Sequence, residues 1–197
     1  MYMPAVLFFR VLILAAALSL AGCHPDQPSF QSTDITGADF GKSFTLTDQN
    51  GKQRSLADFQ GKVVVMFFGF THCPDVCPTT LAELAGAVKN LGPAGEKVQV
   101  LLVTIDPARD TPELLGKYVT AFNPRFLALR GNDEETARVA KGFKVIYQKV
   151  AGPRPENYSM DHSAGSYIFD EQGRLRLYVA YGRGADVFAH DIGMLLK

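Results

Sequence analysis

The hydrophobic and polar positions divide the chain into an apolar leader, a polar stretch and a long α/β body. Val11 to Gly22 is an unbroken run of apolar and small residues. It falls short of the roughly 20 helical residues that span a bilayer, and its length suits the core of an export signal. Residues 24–40, rich in Pro, Asp, Gln, Ser and Thr, read as a tether. In the body, Ser43 to Thr47 and Val63 to Phe68 have strand character, and Asp48-Gln49-Asn50-Gly51 supplies turn chemistry after the first. A helix is predicted from Thr79 to Leu91. Val98 to Ile105 is a continuous apolar strand of the kind buried on both faces, ended by Asp106-Pro107. Thr111-Pro112-Glu113 opens a second helix with a capping residue and a proline at the first helical position. Asp133 to Gly142 forms a third helix. Ser166 to Phe169 and Leu175 to Tyr181 make a hairpin around Asp170-Glu171-Gln172-Gly173, and Ala185 to Leu196 closes the chain as a helix.

Residues 1–22 contain Arg10 and no Lys, Asp or Glu, as an export signal requires. The run ends in Leu20-Ala21-Gly22-Cys23, which resembles a bacterial lipobox, where the cysteine is acylated and becomes the new N-terminus. Three cysteines in an exported protein leave one unpaired, and lipidation of Cys23 removes the odd one. Cleavage after Gly22 leaves 19 Lys+Arg against 20 Asp+Glu, so the charge points to neither nucleic acid nor an anionic surface. The remaining 175 residues suffice for one well-buried domain. The expected location is a lipid anchor in a bacterial membrane, with the domain on the periplasmic or extracytoplasmic side.

The chemistry concentrates at Gly69-Phe70-Thr71-His72-Cys73-Pro74-Asp75-Val76-Cys77-Pro78-Thr79-Thr80. Both sulfurs lie at a strand-to-helix turn, where helix amides and the positive end of the dipole favour thiolate over thiol. Both cysteines are therefore expected to ionise easily, and an ionised sulfur either attacks or binds metal. Positions i and i+4 on a helix hold their Cβ atoms roughly 5–6 Å apart. A disulfide wants about 3.5–4.5 Å, so a Cys73–Cys77 bridge requires local adjustment. One soft ion between the two sulfurs fits more comfortably, although an oxidising compartment drives unprotected thiols toward the disulfide.

A second group, Tyr158-Ser159-Met160-Asp161-His162-Ser163, precedes the hairpin. His162 is read on a loop entering the sheet, with Asp161 either orienting its imidazole or capping backbone amides. Copper in both oxidation states is served by thiolate and imidazole together, so Cys73, Cys77 and His162 make a three-ligand set with room for exchange. His72 is expected to point away. Met66 and Met160 are read as packing residues, His24 and His190 as solvated, and Arg109–Asp110 as an ion pair in a rigid turn.

The cysteine string, Thr104-Ile105-Asp106-Pro107-Ala108-Arg109-Asp110-Thr111-Pro112 and Asp161-His162-Ser163-Ala164-Gly165 together resemble the Sco/SenC family of copper proteins over most of residues 40–197. The resemblance implies a thioredoxin-like central sheet flanked by helices, with Cys73, Cys77 and His162 binding one copper as Cu(I) or Cu(II). It also implies delivery of copper to, or preparation of the thiols of, the binuclear CuA centre in subunit II of cytochrome c oxidase, with a periplasmic copper donor or thiol reductant upstream. Ala108 stands where many members carry a glutamate. The resulting division is a lipoprotein signal peptide at 1–22, a lipidated N-terminus and flexible tether at 23–40, and a thioredoxin-like copper-binding domain at 41–197. The rival reading is a membrane-anchored thiol-disulfide oxidoreductase with Cys73 attacking and Cys77 resolving. Against it stand three residues between the cysteines where the redox motif has two, and no proline between Glu156 and Gly165. A peroxiredoxin-type peroxidase lacks its Pro-x-x-x-Thr-x-x-Cys setting.

Overall fold

The computed structural model describes residues 29–154 and 157–196; the leader, Cys23 and His24 lie outside them. Among the described residues, ten strands follow in chain order: β1 Thr33–Asp34, β2 Leu46–Asp48, β3 Gln53–Arg54, β4 Val63–Gly69, β5 Val98–Thr104, β6 Leu127–Arg130, β7 Tyr147–Val150, β8 Ser159–His162, β9 Ser166–Phe169 and β10 Leu175–Val179. Four α-helices are interleaved with them: α1 Val76–Asn90, α2 Pro112–Thr120, α3 Asp133–Gly142 and α4 Ala185–Leu195. Eight strands form one mixed sheet in the order β1-β10-β9-β4-β5-β6-β2-β3. The two longest apolar runs occupy its centre. Strands β4 and β5 pair in parallel from Val63↔Val98 to Gly69↔Thr104, and every residue of both is buried. This is the α/β, thioredoxin-like sheet flanked by helices that the order of elements predicts.

Helix α1 buries Cys77, Thr80, Leu81, Leu84, Ala87 and Val88, a stripe at helical spacing that packs against α4. It begins at Val76, three residues before the predicted start. Pro78 does not block this, because a first-turn amide has no intrahelical partner to lose. Thr111 caps α2 by accepting from the Leu114 amide at 3.2 Å, and Asn132 with Glu135 forms a capping box on α3. The first strand sits at Leu46–Asp48 instead of Ser43–Thr47. Asp48 accepts from the amides of Asn50 (2.9 Å) and Lys52 (3.0 Å), fixing the predicted turn.

Three features departed from the periodicity. The four-residue β6 was not assigned. The second sheet, β7 paired with β8, places His162 at the end of a strand instead of on a loop. Part of the expected tether is bound to the domain: the Gln31 and Ser32 amides donate to the buried Asp191 carboxylate at 2.8 and 2.9 Å, and β1 pairs with β10. No helix among the described residues is long and apolar enough to cross a membrane.

Candidate metal centre

Strand β4 ends at Gly69, and the turn that follows brings Cys73 over the first turn of α1, where Cys77 is the second helical residue. The Cys77 amide donates to Cys73 Sγ at 3.4 Å. Cys77 is buried, Cys73 is partly exposed, and both are free thiols. From the ribbon, His162 directs Nε2 toward Cys77 Sγ at 3.9 Å. Its Nδ1 lies 2.9 Å from the Ser163 carbonyl oxygen. A carbonyl can only accept, so Nδ1 carries the ring proton and the Nε2 lone pair is left facing the sulfurs. The two sulfurs and a ring nitrogen of His162 lie within 4.8 Å of one another. This donor set suits a soft or borderline transition-metal ion, and its Nδ1 bond is the kind of outer contact that orients a ligating imidazole.

The cysteines ionise unequally, which corrects the expectation of two easily formed thiolates. A hydrogen bond from the Cys77 thiol is the main reason that Cys73 is lowered to about 5; burial opposes this, and the Cys77 and Asp75 amides add to it. The same bond, followed by burial, drives Cys77 strongly upward. A second thiolate beside the first would be cut off from water and would face a like charge, which the Phe70 amide only partly offsets.

Gly69 is demanded by space. A Cβ there would lie 2.6 Å from Cys77 Sγ and 3.1 Å from Leu102 Cδ1. Gly165, just after the histidine, is similarly constrained, because a Cβ would meet the Tyr178 ring at 2.1 Å. Phe70 supports the imidazole from the side, edge-on at 6.1 Å between ring centroids. Tyr118 on α2 is pushed upward by burial and then by the charges of the two cysteines, and its hydroxyl has no partner among the described residues. Gly69, Phe70 and Gly165 lie inside the strings that carry the family resemblance, but the sequence assigned none of them a role at the site, and Tyr118 carried no signal at all.

Several expected partnerships are replaced. Asp161 is exposed, and the Ser163 carbonyl does the orienting. Arg109 pairs with Asp106 instead of Asp110. Asp110 is buried and accepts from the Thr71 hydroxyl at 2.6 Å and from the Thr104 hydroxyl. His72 is exposed, its Nδ1 3.1 Å from the Thr71 hydroxyl, and does not join the sulfurs. Met66 is in the core, Met160 is half-buried against it, and His190 Nδ1 contacts Asp191 at 2.9 Å.

Comparison with known proteins places the chain among its relatives. The chain is 41% identical over 153 residues to the mitochondrial SCO2 homolog of Bos taurus, covering 76% of this chain and 57% of that protein. It is 38% identical over 177 residues to an SCO2-like protein of Rickettsia typhi, covering 87% of each. The chain thus spans less than two thirds of the bovine relative's length and most of the bacterial one's. Among solved structures, Bradyrhizobium japonicum ScoI with copper bound superposes with a TM-score of 0.71 at 37% identity, over 81% of this chain and 100% of that one. The SCO1/SenC family profile matches residues 32–197, and the chain belongs to that family.

Proposed function

We propose that this protein binds one copper ion, as Cu(I) or Cu(II), through Cys73, Cys77 and His162, and serves assembly of the CuA centre of cytochrome c oxidase. The observation that carries the reading is the convergence of two sulfurs and an imidazole nitrogen within 4.8 Å. Cu(I) is soft and content with two thiolates, whereas Cu(II) prefers nitrogen and oxygen donors and so depends on the imidazole. Copper is cargo in this reading, received from a periplasmic donor and passed to the CuA-bearing subunit II. In the same proposal residues 1–22 are a lipoprotein signal peptide, Cys23 is acylated, and the chain to residue 40 is a tether. The domain from 41 to 197 works on the extracytoplasmic side of the membrane.

The test is His162→Ala. Cu(I) should remain at near-unit stoichiometry while the thiolate-to-Cu(II) charge-transfer absorption is lost or strongly altered. An unchanged Cu(II) spectrum would remove His162 from the ligand set.

A second reading is favoured by the unequal thiols. Cys73, ionised from about pH 5, is poised to attack one sulfur of a partner disulfide, with Cys77 beside it to resolve the mixed disulfide. The partner leaves as a dithiol, two electrons pass to it, and this chain is left as the Cys73–Cys77 disulfide until a thiol reductant restores it. Anaerobic incubation with an apo CuA domain separates the two: metal passing from the reduced, copper-loaded protein to the CuA dithiol supports delivery, whereas reduced, metal-free protein that converts the CuA disulfide to the dithiol while Cys73 and Cys77 become a disulfide supports reduction.

A further inference from the structure

The two halves of the candidate centre come from parts of the fold that share no β-ladder. Cys73 and Cys77 belong to the β4–α1 junction, whereas His162 rides on the β7–β8 ribbon, which among the described residues forms no ladder with the main sheet. Near the histidine the ribbon is closed by the Ser163 amide donating to the Ile146 carbonyl at 2.9 Å. Toward its other end Tyr158, just before β8, makes the connection back to the body. The Tyr158 hydroxyl donates to Asp106 Oδ1 at 2.7 Å, and Arg109 Nη1 donates to the Tyr158 carbonyl at 2.8 Å. The Arg109 guanidinium lies over the Tyr158 ring, 3.5 Å from its centroid, and its Nε pairs with Asp106 Oδ2. Arg109 also sits 6.0 Å from the centroid of Phe70, the ring that packs edge-on against His162.

The segment carrying Asp106 and Arg109 is rigid. The Asp106 amide donates to Thr104 Oγ1 at 3.0 Å, and Arg130 donates to the carbonyls of Pro107 (3.0 Å) and Asp110 (3.2 Å). From its far end Asp110 holds Thr71, two residues before Cys73. One loop, anchored by the buried Asp106 and Asp110, therefore grips both arms of the centre: Asp110 holds the cysteine arm, and the Asp106–Arg109 pair holds the histidine arm.

We infer that Arg109, with Asp106 and Tyr158, is a positioning clamp that fixes His162 opposite the cysteines and thereby sets how firmly the third donor is held. Arg109 touches no reacting atom. Its role follows from two directional hydrogen bonds and a planar stack made at once, which a lysine ammonium cannot reproduce. The inference rests on the copper reading for its consequence, and on the apo structure alone for its mechanics.

Both are measured, on the full protein. In the metal-free, reduced state, amide hydrogen exchange along β7 and β8 should accelerate in Arg109→Ala and Arg109→Lys, while β4 and β5 keep wild-type protection. Tyr158→Phe removes one hydroxyl and keeps the ring, so it should show a smaller effect of the same kind. It also serves if the arginine variants fold poorly. With copper, loss of a ligand's own outer partner costs about 10–100-fold in metal affinity, and loss of a contact one step further out should cost at most that. That loss should fall on Cu(II), with a shifted charge-transfer band, and leave Cu(I) binding by the cysteines near wild type. Wild-type exchange along the ribbon in Arg109→Ala would overturn the clamp, as would equal weakening of Cu(I) and Cu(II) or full rescue by Arg109→Lys. If His162→Ala leaves the Cu(II) spectrum unchanged while ribbon exchange still responds to Arg109, the ligand assignment fails and the clamp stands.

Discussion

Gly69→Ala tests whether the centre is packed as tightly as it is drawn. The new Cβ would stand 2.6 Å from Cys77 Sγ, where ordinary contact begins at 3.4 Å, and 3.1 Å from Leu102 Cδ1 on another side. The strand cannot yield, because Gly69 pairs with Thr104 in the parallel ladder and its carbonyl accepts from the Ile105 amide at 2.9 Å. The displacement, close to an ångström, falls on the Cys77 side chain or the first turn of α1. Overpacking of this kind costs about 1–3 kcal/mol, measured by urea unfolding of the reduced, metal-free protein. The sulfur that moves is also the one facing His162, so Cu(I) affinity by chelator competition should fall as well, by the part of that strain which copper binding does not relieve. A double-mutant cycle isolates the contact. In a Cys77→Ala background the closest contact is gone and only the milder one with Leu102 remains, so Gly69→Ala should cost clearly less, with a coupling energy of about 1 kcal/mol or more. Wild-type stability and affinity in Gly69→Ala, or an unchanged penalty in the Cys77→Ala background, would refute the argument.

Alkylation of Cys73 should follow a thiolate midpoint near pH 5, with Cys77 unreactive at neutral pH; a Cys73 midpoint near the ordinary value of about 8.5 would remove the proposed asymmetry. Because the folded-state value of Cys73 is lowered, its contribution to stability is present above the unfolded-state value and is lost as the pH falls through about 5. The Cys77 contribution has the opposite sign, present below its unfolded value and lost as the pH rises, so Cys73→Ser and Cys77→Ser should change the pH dependence of urea midpoints in opposite directions. Cys23→Ser should release the protein from membranes without altering copper stoichiometry, and a variant still resistant to carbonate extraction would indicate an uncleaved apolar segment.

The cysteine half of the centre was legible because its signals are local. An apolar strand, a turn and a helical stripe at 77, 80, 81, 84 and 88 all lie within about twenty-five residues, and periodicity alone places both sulfurs at a helix N-terminus. The histidine, 85 residues further on, entered through ligand chemistry and a family resemblance and not through periodicity, since nothing in Ser159-Met160-Asp161-His162 announces a strand. Its ribbon exists because two polar segments pair with each other, and that pairing leaves no hydrophobic alternation to read.

What the sequence determined by itself was the alternation of strands and helices, the central pair β4 and β5, and the two sulfurs in one turn. Only the tertiary structure decided which thiol ionises, because one hydrogen bond between Cys73 and Cys77 lowers the first and raises the second. It also chose Asp106 over Asp110 as the partner of Arg109, a choice between neighbours in sequence that burial and the threonine donors settle. The size of Gly69 and the tautomer of His162 belong to the same class. Each depends on where the folded backbone aims one particular atom, the Leu102 methyl and Cys77 sulfur at Gly69 or the Ser163 carbonyl at His162, and contacts of that kind leave no period in the chain.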